Sequence, residues 1–175
     1  MTWEEQFMAM KRWFYRLQGI NGGQHNAFSS SDTYQSDFFQ AFFISSYHFK
    51  DALINANVSD VENLINKNLS LKLAGDVANF TKHTKLTSTR TGDLQTKGFG
   101  KLLLKQPENA PSYIVSILHI ESNGESYNAF SIAEDCMNIW GNFLLSRSLQ
   151  IPELIEENIY LNFPKWAPKS REGLK

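Results

Sequence analysis

Two short stretches hold the side chains best suited to chemistry. Asp76-Val77-Ala78-Asn79-Phe80-Thr81-Lys82-His83 sets an acid, an amide, a base and an imidazole close together. If the segment is helical, Asp76, Asn79 and His83 stand at i, i+3 and i+7 and share one face. His48 and Asp51 form a second imidazole–carboxylate pair at i and i+3, on an earlier segment. Two imidazoles and two carboxylates from facing helices are a donor set that could bind a metal, with His48, Asp51, Asp76 and His83 as ligands. The same groups could do general acid–base work, with Asp76 or Asp51 orienting an imidazole. A third reading needs no chemistry. Lys72, Asp76, Asn79 and Lys82 are also what the solvent face of an amphipathic helix looks like. A buried His48–Asp hydrogen bond could simply hold two helices in register.

These residues matter only if the elements carrying them are helices that meet. Thr2-x-x-Glu5 is a capping box opening a helix over about 2–18, with Trp3, Phe7, Met10, Phe14 and Leu17 on one apolar face. Gly19 and then Asn21-Gly22-Gly23 end it, and a polar loop holding His25 follows. Ser29, Ser30 and Ser31 offer caps for a long second helix over about 31–56, with Phe38, Phe39, Phe42, Phe43, Phe49 and Leu53 spread widely around it. Such breadth predicts a helix buried on much of its circumference. The stripe Asp37, Ala41, Ile44, His48, Asp51 and Asn55 would then need partners for its polar members. Ser59-x-x-Glu62 reads as a second capping box before a short helix to about Asn68. A further helix over Leu69–Thr84 has Leu73, Ala74, Val77, Ala78 and Phe80 as its apolar side. Gly75 within it would either permit close helix contact or mark a true start capped by Asp76.

Beyond a polar stretch at 87–93 the periodicity changes from helix to strand. Phe99–Lys105, Tyr113–Ser122 and Glu125–Phe130 read as strands, with Asn123-Gly124 as a hairpin turn. His119 alternates with Ile117 and suits packing or the sheet surface. Ser131-x-x-Glu134 reads as a third capping box, opening a helix to about Ser148 with Ile132, Cys136, Ile139, Trp140 and Phe143 inward. Glu153–Phe163 suits a short helix or an edge strand. The expected class is α+β and mainly α: a bundle of about four helices with a three-stranded antiparallel β-meander, at about 97–131, before the last long helix. Residues 1–163 form one domain in this reading, and 164–175 a basic, proline-containing tail that carries Trp166.

Composition narrows the function classes. A net charge of −1 supplies no global field toward nucleic acid or membrane. The single cysteine, Cys136, precludes an internal disulfide and a cysteine-only zinc site, and fits a reducing compartment. The N-terminal Met-Thr-Trp-Glu-Glu has neither the basic nor the apolar region of a secretory signal, so a cytoplasmic location is expected. No HExxH, phosphate-binding loop, dinucleotide fingerprint or nucleophile elbow occurs. No cofactor is implied. A protein partner, RNA and a second copy of the chain stay open as partners; a membrane is not expected.

Phe42-Phe43-Ile44-Ser45-Ser46-Tyr47-His48-Phe49-Lys50-Asp51, followed by Asp76-x-x-Asn79-x-x-Lys82-His83, resembles a family of bacterial helical proteins. Those proteins share a His-hydrophobe-Lys/Arg-Asp helix and a later Asp-x-x-Asn-x-x-Lys-His. The resemblance covers about residues 36–86 and brings no established activity with it. More loosely, the bundle resembles the HEPN class of helical domains, in which an Arg and a His four to six residues later cleave RNA; this chain has no Arg at that spacing before His48 or His83. The leading expectation is a non-catalytic binding or interaction module, and the looser resemblance alone implies a defence or toxin-neutralising setting for it. The rival expectation is an RNA nuclease or metal-dependent hydrolase that uses His48, Asp51, Asp76, Asn79 and His83.

Overall fold

The computed structural model describes residues 1–22, 32–82, 88–93, 97–104 and 115–153. It is mainly helical, with one small antiparallel sheet. Five helices occur among the described residues, because the short helix after Ser59 stands apart from its neighbours. His25, His83, Trp166, the expected caps at 29–31 and the tail lie outside the described residues, as does most of the segment expected at 153–163.

Helix α1 spans Trp3–Gly22. The Thr2 backbone N–H donates to Glu5 Oε2 at 2.8 Å and the Glu5 N–H to Thr2 Oγ1 at 3.2 Å, so the first capping box is formed. The helix continues past Gly19: one glycine costs only about 1 kcal/mol in a helix and need not end it. Phe7, Met10 and Leu17 are buried, with Trp3 and Phe14 packed against the core.

Helix α2 spans Asp32–Asn55 and packs against both α1 and α4, the latter spanning Leu69–Lys82. Its core face is Phe39, Phe42, Phe43, Phe49 and Leu53, together with the buried serines Ser45 and Ser46. Gln6 Nε2 donates to the Ser45 carbonyl at 3.2 Å. This face suffices for the core. From 36 to 53 every side chain but Asp37 is buried or half-buried, so the helix is covered on much of its circumference; in the stripe, Ala41, Ile44, His48 and Asp51 are half-buried and Asp37 and Asn55 exposed.

Helix α3 is the short segment Val61–Lys67. The expected Ser59–Glu62 box is not its cap. Asp60 is the N-cap residue, in the left-handed region at φ 65°, with no side-chain cap bond. Arg147 instead takes Asp60 Oδ2 at 2.7 Å and Ser59 Oγ at 3.4 Å, and Glu62 turns to Arg90. In α4, Leu71, Leu73, Ala74, Val77 and Ala78 are buried, whereas Phe80 is 42% exposed and does not belong to the core face.

Strands β1 (Lys97–Leu104), β2 (Val115–Ser122) and β3 (Glu125–Asn128) lie in the order β1-β2-β3. Gly100 pairs with His119 and His119 with Asn128, with an irregularity in β1 between Lys97 and Gly100. Asn123 and Gly124 both have positive φ, 53° and 77°, the geometry a two-residue hairpin turn requires. Alternation along β2 buries Leu118, Ile120 and Ser122. Helix α5 spans Ala129–Ser146. It starts earlier than the Ser131 box predicts, because the Asn128 side chain accepts from the Phe130 and Ser131 N–H groups at 2.9 and 3.1 Å. That cap cuts the return strand short at Asn128. Ile132, Cys136, Trp140, Phe143 and Leu144 are buried, and the Trp140 ring meets Phe49 edge-on at 5.1 Å between centroids.

Candidate functional site

Asp76 lies inside α4, so it is neither a cap nor part of a solvated face: its side chain is fully buried. The carboxylate has a local task. The Arg90 N–H donates to Oδ1 at 2.6 Å. The Thr91 N–H and the Thr91 hydroxyl donate to Oδ2 at 3.0 and 2.6 Å. A buried carboxylate needs donors for both oxygens, and with these three this one anchors segment 88–93 to α4. Thr91 Oγ1 also accepts from Ser122 Oγ at 3.4 Å and from the Asp93 N–H at 3.3 Å. Asp93 in turn accepts from the Asn123 N–H at 2.6 Å. The segment therefore ties α4 to the hairpin turn of the sheet.

The side chain of Arg90 extends the tie to α2 and α3. Its Nε donates to Tyr47 Oη at 3.0 Å. Its two terminal nitrogens donate to Glu62 Oε2 at 2.8 Å and Oε1 at 3.3 Å, the fork-on-fork pairing that suits guanidinium. Lys50 Nζ lies 3.4 Å from Glu62 and 2.7 Å from Asp51 Oδ1, and Asp51 Oδ2 lies 3.0 Å from His48 Nδ1. Arg90 and Lys50 each sit 5.2 Å from the centre of the Tyr47 ring. A continuous chain of polar contacts thus runs His48–Asp51–Lys50–Glu62–Arg90–Asp76, from a half-exposed surface to a buried carboxylate.

Gly75 explains how these parts come so close. A Cβ there would meet Tyr47 Cε2 at 2.9 Å and Arg90 Cδ at 3.1 Å. The glycine serves close helix contact, the first of the two roles its position suggests.

The charges respond to these neighbours. Hydrogen bonds from Arg90 hold the Glu62 carboxyl below its ordinary value. Burial pushes Asp51 up, but hydrogen bonds from Lys50 and His48 outweigh it and hold that carboxyl low. Lys50 is desolvated, yet Asp51 keeps its pKa raised.

Of the residues singled out by type and spacing, the structure brings His48 and Asp51 into contact. Among the described residues the partners of the Asp76 carboxylate are Arg90 and Thr91, and no group of three His, Cys, Asp or Glu side chains is placed to share a metal. Asn79 is half-buried one turn along α4. The remaining candidate, His83, is outside the described residues. Sequence reasoning missed Tyr47, Glu62 and Arg90 as members of this cluster. A usable sign existed for one link: Asp76 lies between Leu73 and Val77 at the border of the apolar stripe, where a carboxylate needs donors.

Elsewhere, His119 is half-buried, and its two ring nitrogens have no hydrogen-bond partner among the described residues. Cys136 is a core residue whose thiol donates to the Ser70 carbonyl at 3.4 Å. No described helix is long and apolar enough to cross a membrane. No protein-family model, curated protein or solved structure matches the chain.

Proposed function

We propose that the chain is a non-catalytic binding module whose docking face is formed by Tyr47, His48, Lys50, Asp51, Glu62 and Arg90. The observation that carries this reading is the ion-pair chain Lys50–Glu62–Arg90, which joins three elements on a part-exposed face. Alternating charges held in fixed positions give orientation and selectivity toward a partner with the opposite pattern. Each cation is matched by a carboxylate, which favours a mixed-charge protein surface over the uniform phosphates of a nucleic acid. Asp76 supports the reading from the other side, since its oxygens hold a loop rather than face solvent. The looser resemblance to the HEPN class is what suggests a defence or toxin-neutralising setting for such a module.

One contact favours a second reading, an RNA nuclease or metal-dependent hydrolase. His48 Nδ1 at 3.0 Å from Asp51 is the arrangement that orients an imidazole for proton transfer.

Tagged protein and its Glu62→Ala/Asp51→Ala variant, used as baits in the source cells, separate the two. A partner retrieved by the wild type should bind the variant about tenfold more weakly once purified, with the far-UV spectrum unchanged. Equal affinity for both proteins rejects the docking face. RNA cleavage by the purified protein that disappears in His48→Ala would replace the binding reading with the catalytic one.

A further inference from the structure

Arg90 and Thr91 present two consecutive backbone N–H groups to one carboxylate, and Gly92 follows at φ 85°. Successive N–H groups converging in this way form an anion-binding concavity. Here the anion is internal: it is Asp76, fully buried, and the Thr91 hydroxyl adds a third donor.

The geometry points to a latch. The backbone at 90–91 is an anion site closed on Asp76, and that closure, rather than the Arg90–Glu62 ion pair, holds segment 88–93 in place and so sets the position of Arg90. The ranking follows from exposure. Hydrogen bonds to a charged group are strong where water is excluded, whereas Glu62 is 46% exposed and its ion pair is screened. Removing Glu62 leaves the three donors on Asp76 intact. Removing Asp76 leaves two backbone N–H groups and a hydroxyl without their acceptor, and Arg90 then loses the support that brings it to Tyr47 and Glu62. With Asp76 shortened to alanine, the vacated site should accept a small carboxylate. The latch rests on the docking reading only for its consequence, which is that Asp76 governs the shape of that face. Its test uses no partner, so failure of the latch and failure of the docking face are distinguishable.

Site-resolved amide hydrogen exchange on the full chain tests it. Asp76→Ala should speed exchange at Arg90 and Thr91 by about tenfold or more. Sodium formate should slow it again, and sodium chloride at the same ionic strength should not. Glu62→Gln should change the same amides by about twofold or less. Thr91→Val keeps the side-chain shape and removes the hydroxyl, which is both a donor to Asp76 and the acceptor of the Asp93 N–H and Ser122 Oγ. It should speed exchange at Arg90, whose N–H is bonded to Asp76 and to neither of the latter two, by about threefold or more, and it decides the matter if Asp76→Ala does not fold. The latch is overturned if Glu62→Gln opens the segment as far as the Asp76 variant does. It is equally overturned if formate and chloride act alike, or if Thr91→Val leaves exchange unchanged.

Discussion

The indole N–H of Trp140 donates to the Ser46 hydroxyl at 3.2 Å, and both residues are fully buried. This contact pins α5 to α2 at the centre of the core. Ser46→Ala would leave the N–H buried without an acceptor, at a cost of about 1–3 kcal/mol. Thermal unfolding should show Tm lowered by about 2–4 °C for each kcal/mol lost. Ser46→Ala made in a Trp140→Phe background should cost less, because no donor is then stranded; equal costs in both backgrounds would show the hydrogen bond to be unimportant.

Gly75→Ala sets two effects against each other. Alanine gains about 1 kcal/mol of helix propensity, while overpacking costs about 1–3 kcal/mol. The new methyl would press on the Tyr47 ring at 2.9 Å, and the ring cannot retreat without disturbing Arg90. The clash should win, lowering the urea midpoint. In a Tyr47→Ala background the same substitution should become neutral or stabilising, and a persistent loss there would contradict the steric account.

Glu62 and Asp51 both have folded-state pKa values below their ordinary values of 4.5 and 3.8. The unfolded chain therefore binds these protons more readily than the folded protein does. Their contribution to stability is complete above those ordinary values and is lost as pH falls through the lower folded values. Both side chains are nearly half exposed, so the effect is small after solvent screening. Between pH 6 and pH 3, Glu62→Gln should flatten part of the fall in Tm seen for the wild type; an unchanged slope would argue against the Arg90 pairing.

Cys136 should be chemically silent in the folded protein. Burial drives its thiol pKa far up, and the thiolate is the reactive form. Iodoacetamide at neutral pH should label it only at the rate of opening, and fully once urea has unfolded the chain. Rapid labelling of native protein would mean that the α5 face is not closed.

Local chemistry was the legible part of this fold. The Thr2–Glu5 box, the α1 stripe and the Asn123-Gly124 turn involve residues a few positions apart, so sequence order nearly fixes their geometry. The errors came from choosing among several local candidates. Asn128 outcompeted Ser131 as the cap of α5, and Ser59 and Glu62 were drawn away by Arg147 and Arg90. The site was less legible still. Phasing put Asp76 and His48 on one list because both are polar, yet one is buried beneath a loop and the other lies on a half-exposed helix face. Nothing in helical periodicity links Asp76 to Arg90 and Thr91, since the segment between them sets that distance.

Chain entropy gives the polar chain through Arg90 an expected order of closure. Asp76 reaches Arg90 across 14 residues, whereas Arg90 reaches Glu62 across 28 and Tyr47 across 43. Shorter closures lose less chain entropy, so the contact on Asp76 can form first and deliver Arg90 to its more distant partners. The Tyr47 contact then belongs to the late part of folding. Losing it should hasten unfolding while leaving the folding rate nearly unchanged, so the surface that Arg90 completes is secured by how slowly it comes apart.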